Sequence, residues 1–143
     1  MKVIKVIELL SLSAGIALCL AGRAQAADVK MIANNSVAAT EISVDDIKAV
    51  FLITKTSLSD GSAVEPVLST SGPAHRAFLA YVGKTDAALS AYLRGLVFTG
   101  KASMPRTLDS DAAVVAYVAK TRGAVGYISV SAPAEGTKTL TIK

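Results

Sequence analysis

The chain has little of several residue types on which disulfide-stabilised and metal-binding proteins depend. Its 143 residues include one cysteine, Cys19, one histidine, His75, and no tryptophan. One thiol and one imidazole are too few for an internal disulfide or the ligand set of a structural zinc site. Charged residues make up only 18% of the chain and hydrophobic residues 52%. This composition excludes an intrinsically disordered protein and predicts a packed globular core.

The net charge of +4 is shared between the first 26 residues and the rest of the chain. Lys2, Lys5 and Arg23 against Glu8 give residues 1–26 a charge of +2, and the other 12 basic and 10 acidic residues give the remainder +2. A charge this small does not form a polyanion-binding stripe, so we expect no nucleic-acid partner.

The first 26 residues have the pattern of a secretory signal peptide. A basic start precedes an apolar run at residues 9–21, and Ala24-Gln25-Ala26 fits the small-x-small rule of signal peptidase. The apolar run is shorter than the roughly 20 residues that a membrane-spanning helix needs. The sequence therefore predicts cleavage near Ala26.

Cleavage there leaves residues 27–143 as one periplasmic or secreted domain with no cysteine and no membrane span. Two alternatives stay open. The segment is retained as an anchor, or Cys19 carries a lipid, although Leu18 stands where a lipoprotein has a small residue.

Hydrophobic spacing and turn residues predict elements in the first half of this domain. A strand covers residues 29–33, and a helix begins at Ser43 and ends near Leu52. After a turn at Ser59-Asp60-Gly61, residues 64–68 are predicted as an edge or short strand, because Pro66 has no N–H to donate to a ladder.

Three more helices and two strands are predicted in the second half. The helices begin at Pro73, at Thr85-Asp86 and at Asp109-Ser110-Asp111, and residues 124–130 and 137–142 are strands. This order is typical of an α/β domain. The predicted core faces of the three helices are Ala74, Phe78, Tyr81 and Val82; Leu89, Leu93, Leu96 and Val97; and Ala112, Val115, Val118 and Ala119.

Residues 95–102 match a nucleotide-binding P-loop except at the last position, where Ala102 replaces the magnesium-binding Ser or Thr. A P-loop follows a strand, whereas this segment continues a helical pattern. We therefore interpret it as the end of a helix with a solvated Lys101.

A candidate anion site lies at residues 70–76. Thr70, Ser71 and Gly72 come directly before a helix whose first N–H groups and dipole attract anions, and Arg76 or His75 adds a charge-assisted hydrogen bond. The alternative is that Ser71 caps the helix and Arg76 faces water.

A second group of candidates follows the first strand, in Asn34-Asn35-Ser36. The triplet matches a glycan acceptor, a pattern that is common by chance. Loops at the carboxyl ends of strands are where open α/β sheets bind ligands, so Asn35 and Ser36 are retained as candidate ligands.

His75 would need a nucleophile and an orienting acid to act as a general base. Ser71 lies four residues before it, but no nucleophile elbow surrounds it, and no acid is assigned to the histidine. Asp45, Asp46, Asp109 and Asp111 fall at helix starts, where capping explains them. We therefore expect no enzyme, no metal and no cofactor.

The order of motifs resembles that of the phosphate-type periplasmic substrate-binding proteins of ABC transporters. Residues 44–52 resemble the helix before that family's Phe-Leu-Gly-Lys turn, and Ser59-Asp60-Gly61 resembles the Asp-Gly after it. Residues 69–78 resemble the Ser-Gly-Thr phosphate segment and its helix, and residues 98–101 and 104–107 resemble later segments. The most specific match is at residues 121–128, which resemble the family's Thr-x-Gly-Ala-Ile-Gly-Tyr block.

The resemblance spans residues 29–130 and implies one lobe of the type II periplasmic-binding fold, a small mixed sheet flanked by about four helices. It implies that Thr70, Ser71, Gly72 and Arg76 bind phosphate, in a protein linked to ABC-type phosphate uptake or sensing. A transporter or envelope protein is the implied partner, and two copies pairing would form a closed cleft. Pro73 departs from the pattern, since the family has Thr there. The alternative is a non-catalytic envelope interaction or structural module that keeps the fold without a ligand.

Overall fold

The computed structural model describes residues 29–70 and 72–143. The predicted signal peptide, Cys19 and Ser71 lie outside the described residues. Six strands and four helices follow one another along the chain in the order β1 (Val29–Ala33), β2 (Glu41–Ile42), α1 (Val44–Phe51), β3 (Glu65–Ser69), α2 (Pro73–Val82), α3 (Asp86–Phe98), β4 (Arg106–Leu108), α4 (Asp111–Lys120), β5 (Ala124–Ser129) and β6 (Lys138–Ile142).

The strands form one mixed sheet in the order β2-β6-β1-β5-β3-β4. β1 is antiparallel to both of its neighbours, β5 and β6, and the other adjacent pairs are parallel. Five strands therefore end at the same edge of the sheet, which we term the carboxyl edge, and β1 ends at the opposite edge. The predicted α/β class, with a small mixed sheet and four helices, is confirmed.

Both faces of the sheet are covered. On one face α1, α2 and α3 pack on the sheet around Phe51, Phe78 and Tyr127, whose rings are fully buried. Phe51 and Phe78 meet edge to face with ring centroids 5.0 Å apart. Burial of each aromatic side chain stabilises the fold by roughly 2–3 kcal/mol. On the other face α4 buries Val114 and Val118 against the sheet.

The helices begin where their cap residues predict. Ser43, Thr85 and Ser110 each accept a hydrogen bond from the backbone N–H three residues later, which satisfies one of the free donors of the first turn. Residues 95–98 form the last turn of α3, so the P-loop-like segment is the end of a helix, as interpreted. None of the helices in the described part of the chain is long and apolar enough to cross a membrane.

The structure differs from the sequence prediction in three places. β2 and β4 were not predicted, because strands of two and three residues carry too little pattern. β3 lies inside the sheet and not at its edge. Pro66 pairs with Val125 of β5. The pairing of β3 with β4 begins one residue later, at Val67, so it does not require the N–H that proline lacks.

The core faces of α3 and α4 are the third difference. Val97 of α3, a predicted core residue, is 40% exposed. The face of α4 also differs from the prediction. Val114 and Val118 are buried, Val115 and Ala119 are half-buried, and the predicted core residue Ala112 is exposed. Residues 112–119 are apolar on every side of the helix, so their spacing does not define one face.

Candidate functional site

A cavity of about 220 Å³ opens at the carboxyl edge of the sheet, between the ends of β3 and β4 and the first half of α3. It combines an apolar floor with hydroxyl, imidazole and carboxylate groups. The lining residues are Leu68, Ser69, Thr70, His75, Asp86, Leu89, Ser90, Leu93, Met104 and Thr107.

The rim of the cavity is set by the ends of two parallel strands. The backbone N–H of Thr70 donates to the carbonyl of Leu108 at 3.0 Å, which ties the end of β3 to the end of β4. Thr70 is exposed at this point and Ser69 is buried. The strand pairing therefore presents the hydroxyls of Thr70 and Thr107 to the same cavity.

One wall is built on a chain of hydrogen bonds from the core to the surface. The buried hydroxyl of Tyr127 accepts from the N–H of Ser69 at 2.9 Å and lies 2.7 Å from Nδ1 of His75. Nε2 of His75 lies 3.1 Å from a carboxylate oxygen of Asp86. The Tyr127 hydroxyl also lies 3.4 Å from the carbonyl oxygen of Ser69, which is a second acceptor for its proton. The phenol donates to Nδ1 of His75 in the tautomer that carries the imidazole proton on Nε2, facing Asp86.

The packing around this chain holds it in place. His75 is only 5% exposed, and the rings of Phe78 and Tyr127 stack at a centroid distance of 4.2 Å. Burial raises the pKa of Tyr127 above its ordinary range, so the phenol stays protonated and serves as a neutral hydrogen-bond group. Both nitrogens of His75 are engaged, which leaves neither for a nucleophile.

The cavity has the groups needed to bind a small polar solute. Thr70, Ser90 and Thr107 supply hydroxyls, which can donate to the oxygen atoms of a solute. Asp86 is the only carboxylate among the lining residues, and it is paired with that histidine. In the described residues, no group of three His, Cys, Asp or Glu side chains is arranged to hold a metal ion.

The first group of predicted ligands is only partly brought to this cavity. Thr70 is on the rim, and Gly72 is the N-cap of α2 with a φ of 100°, a conformation that favours glycine. Arg76 is exposed and is not a lining residue. Ser71, the alternative helix cap, lies outside the described residues.

The second predicted group lies at the opposite edge of the sheet. β1 runs antiparallel to β5, so Ala33 at its end pairs with Val125, which also pairs with Pro66 near the start of β3. Asn35 and Ser36 follow that end and are separated from Thr70 by the length of β3. The structure therefore does not place Asn35 and Ser36 in one site with Thr70.

The loop around Asn35 and Ser36 has contacts that indicate a structural role. Buried Asn34 donates to the carbonyls of Val118 and Ala119 at 2.8 and 3.1 Å. Asn35 donates to Gly136 at 3.3 Å, and the Ser36 hydroxyl accepts from Gly123 at 3.0 Å. The side-chain nitrogen of Asn34, which would be the glycan acceptor, therefore hydrogen-bonds to α4.

Sequence reasoning considered His75 as a ligand but missed Asp86 and its pairing with that histidine. Asp86 was explained as a helix-start residue, yet its carboxylate faces His75, eleven positions earlier. The available signal was the single His on the helix after Thr70, followed by an acid at the start of the next helix. Ser90 and Thr107 carried no signal, because isolated hydroxyl residues are common in helices and strands.

A larger cavity of about 350 Å³ lies at the other end of the carboxyl edge, beside the ends of β2 and β6. Its walls include Glu41, Asp46 and Asp60 against a single cation, Lys143. Asp46 is buried and already accepts from Ser59 and Lys55. Three carboxylates disfavour an anionic solute, so the smaller cavity is the better candidate for an oxyanion.

Solved structures share this fold. An ABC-type phosphate transport receptor from Vibrio cholerae superposes with a TM-score of 0.62 at 16% identity, covering 80% of this chain and 46% of the receptor. A candidate phosphate ABC transporter substrate-binding protein from Clostridium perfringens, solved with bound phosphate, gives 0.61 at 15% identity, covering 80% and 44%. PstS from Borrelia burgdorferi gives 0.57 at 13%, covering 81% and 47%.

The chain thus spans less than half the length of the receptors that it resembles. No protein-family model matches the sequence, and no curated protein matches it. The likeness in structure, at these identities, establishes the fold. The chain has the α/β fold of a single lobe of a periplasmic-binding protein of the phosphate-receptor type.

Proposed function

We propose that this chain is an exported solute-binding protein that recognises a small oxyanion, phosphate above all, in the cavity at the ends of β3 and β4. The observation that carries the proposal is that cavity: it lies at the carboxyl edge of a fold shared with phosphate receptors, and its rim offers three hydroxyls and an imidazole. In this proposal the processed protein resides in the periplasm or is secreted, and it serves ABC-type phosphate uptake or sensing.

The geometry indicates how the oxyanion would be held. The hydroxyl of Thr70 donates from the end of β3 and that of Ser90 from α3. The hydroxyl of Thr107 on β4 exchanges its 3.3 Å bond to the carbonyl of Pro105 for one to the anion. His75, held by Tyr127 and Asp86, forms the wall behind these hydroxyls, and both of its nitrogens are already engaged. Ser71 stays a proposed ligand on its position between Thr70 and the start of α2.

A single open lobe leaves its ligand partly exposed to water, which weakens binding relative to a closed cleft. A second copy facing the carboxyl edge would bury more of the anion. We therefore expect affinity to rise with protein concentration if the functional form is a homodimer, and to be independent of it for a monomer.

A second candidate function is an envelope interaction or structural module without a ligand. Two observations favour it: Arg76 lies outside the cavity, and the carboxylate of Asp86 lies inside it. This candidate predicts no anion dependence and a stoichiometric protein partner.

Calorimetric titration of phosphate into the processed protein, with sulfate as the control anion, separates the two. We expect selective binding by the wild type and a loss of affinity of about 100-fold or more in a Thr70→Val, Thr107→Val double variant, since each substitution removes a hydrogen bond to a charged group, worth about 1.5 kcal/mol or more. Thr99→Val is the matched control, because that hydroxyl bonds to helix carbonyls at the end of α3.

A thermal melt provides an independent readout of the same binding. Phosphate at a hundred times its Kd should stabilise the native state by roughly 2.7 kcal/mol, which raises Tm by about 4–8 °C. A flat titration and an unmoved melt at millimolar phosphate would rule out the oxyanion site and leave the interaction module.

A further inference from the structure

The outward side of α3 carries a feature that the cavity does not explain. Phe98, the last residue of α3, is 92% exposed, and its neighbour Val97 is 40% exposed. Phe98 comes nine positions after the buried Leu89, so at 100° per residue it lies on the side of the helix opposite to the core. Phe98 and Val97 together form a small apolar projection on the outward side of α3, and its meaning depends on the charges that surround it.

The charges around Phe98 have one sign. Arg94 is one turn before it on the same side of α3, and Lys101 follows the helix end. The N–H of Lys101 donates to the carbonyl of Leu96 at 2.9 Å, which keeps Lys101 beside the last turn. Residues 87–108 include no Asp or Glu. In the part of the chain that the structure describes, neither cation is in an ion pair.

We propose that Arg94, Val97, Phe98 and Lys101, here termed the α3 patch, dock the protein on the surface of an anionic phospholipid bilayer. Phe98 and Val97 enter the interface between headgroups and acyl chains, and the two cations bind the lipid phosphates. This arrangement of an apolar projection flanked by basic residues is the one by which peripheral proteins bind anionic membranes.

The size and shape of the patch favour a bilayer over a protein partner. Its exposed apolar area is on the order of 200–250 Å², most of it from one aromatic ring. A stable protein complex buries about 800 Å² on each partner. A fluid interface accommodates a projecting aromatic residue without a shape-matched partner, whereas a second copy docked on the same patch would bring the like charges of Arg94 and Lys101 together.

The test is sedimentation of the processed protein with vesicles of phosphatidylcholine alone or with about one third phosphatidylglycerol. We expect binding to the anionic vesicles that weakens as salt rises, and little binding to the neutral ones. Phe98→Ser should weaken binding about tenfold, and an Arg94→Gln, Lys101→Gln double variant about 25-fold, at roughly fivefold for each cation.

Matched controls separate the α3 patch from general properties of the chain. Val130→Ser removes an exposed apolar residue elsewhere, and a Lys48→Gln, Lys120→Gln double variant lowers the net charge equally on α1 and α4. Both should bind like the wild type. All variants share the same amino-terminal segment, so any lipid binding by that segment is common to them. Inorganic phosphate added at constant ionic strength should not compete with the vesicles, because the α3 patch lies outside the cavity.

Equal binding by the wild type and Phe98→Ser, or binding without preference for the anionic lipid, would overturn the proposal. Self-association in the absence of vesicles that Phe98→Ser abolishes would also overturn it and assign the patch to a second copy. Because all four side chains are exposed, circular dichroism should show the same fold in every variant. Failure here leaves the oxyanion site untouched, since calorimetry with phosphate tests that site separately.

Discussion

The Tyr127 hydroxyl lies 2.7 Å from Nδ1 of His75, and this contact connects the middle of the sheet to the rim of the cavity. The same hydroxyl accepts the N–H of Ser69, so one buried oxygen positions both the end of β3 and the first turn of α2. The wall of the candidate site is therefore set from the core and not by surface residues.

Replacement of Tyr127 by Phe should destabilise the protein by about 2–3 kcal/mol. The change leaves a buried N–H and a buried imidazole nitrogen without their partner, and each unsatisfied group costs about 1–3 kcal/mol. Urea denaturation measures the difference. Tyr117→Phe, which removes only the hydroxyl bond to Glu65 on the surface, should cost less than about 1 kcal/mol. Equal losses in the two variants would contradict this role for Tyr127.

Asn34 should matter far more for stability than its neighbour Asn35. Asn34→Ala removes two hydrogen bonds to the last turn of α4 and the acceptor for the N–H of Ser36, and we expect a loss of about 2–4 kcal/mol. Asn35→Ala removes one exposed bond of 3.3 Å and should cost about 0.5 kcal/mol or less. Thermal denaturation of the pair tests the difference, and a stable Asn34→Ala protein would show that α4 is held by its apolar contacts alone.

Two glycine-to-alanine changes should have opposite effects. At Gly126 an added Cβ would lie 2.9 Å from a methyl carbon of Val114 and 3.4 Å from one of Val118, so we expect a loss of about 1–3 kcal/mol. Gly95, inside α3, has nothing within 4 Å of the added carbon, and alanine there should stabilise the protein by up to about 1 kcal/mol. Both changes in the free energy of unfolding are measured by chemical denaturation. A Gly126→Ala protein as stable as the wild type would show that the packing of β5 against α4 is looser than described.

Asp46 should make stability depend on acid pH. Burial by itself would raise its pKa, but hydrogen bonds from Ser59 and Lys55 outweigh burial and bring the pKa below the ordinary value of 3.8. Since the folded state favours the carboxylate, this contribution is complete above about pH 4 and is lost as the pH falls through the lowered pKa.

Asp46→Asn should therefore cost about 2 kcal/mol at pH 7 and flatten the fall in stability below pH 4, measured by urea denaturation across that range. Asp45→Asn is the control. That residue is exposed in the same turn and contributes only about 0.3–0.5 kcal/mol to the helix dipole. If the free energy of unfolding fell with pH in parallel for the wild type and Asp46→Asn, the buried carboxylate would not be the source of the acid sensitivity.

Much of the fold could be predicted because its helices carry their start signals in the sequence. Ser43, Thr85 and Ser110 each mark a first turn, and β1, β5 and β6 are long enough to show apolar or alternating patterns. β4 was missed because three exposed or half-exposed residues form a strand only through their pairing with β3. That pairing is a tertiary interaction which no local pattern contains.

The site was less predictable, and the reason is strand direction. Asn35 and Ser36 were selected because they follow a strand, but β1 alone runs opposite to the rest of the sheet, so its end lies far from Thr70. His75 and Asp86 belong to consecutive helices, and only the packing of α3 beside α2 brings them together. Spacing along the chain does not report such contacts between elements.

The place of β1 in the sheet also determines when the chain can fold. Val29 pairs with Ser129 and Met31 with Leu140, so the first strand has no partner until almost the whole chain has been synthesised. Contacts between such distant positions slow folding, since a long loop must close before they form. Until β5 and β6 have been synthesised, β1 has neither of its neighbours, so the strands on its two sides are not yet joined and the sheet is completed late.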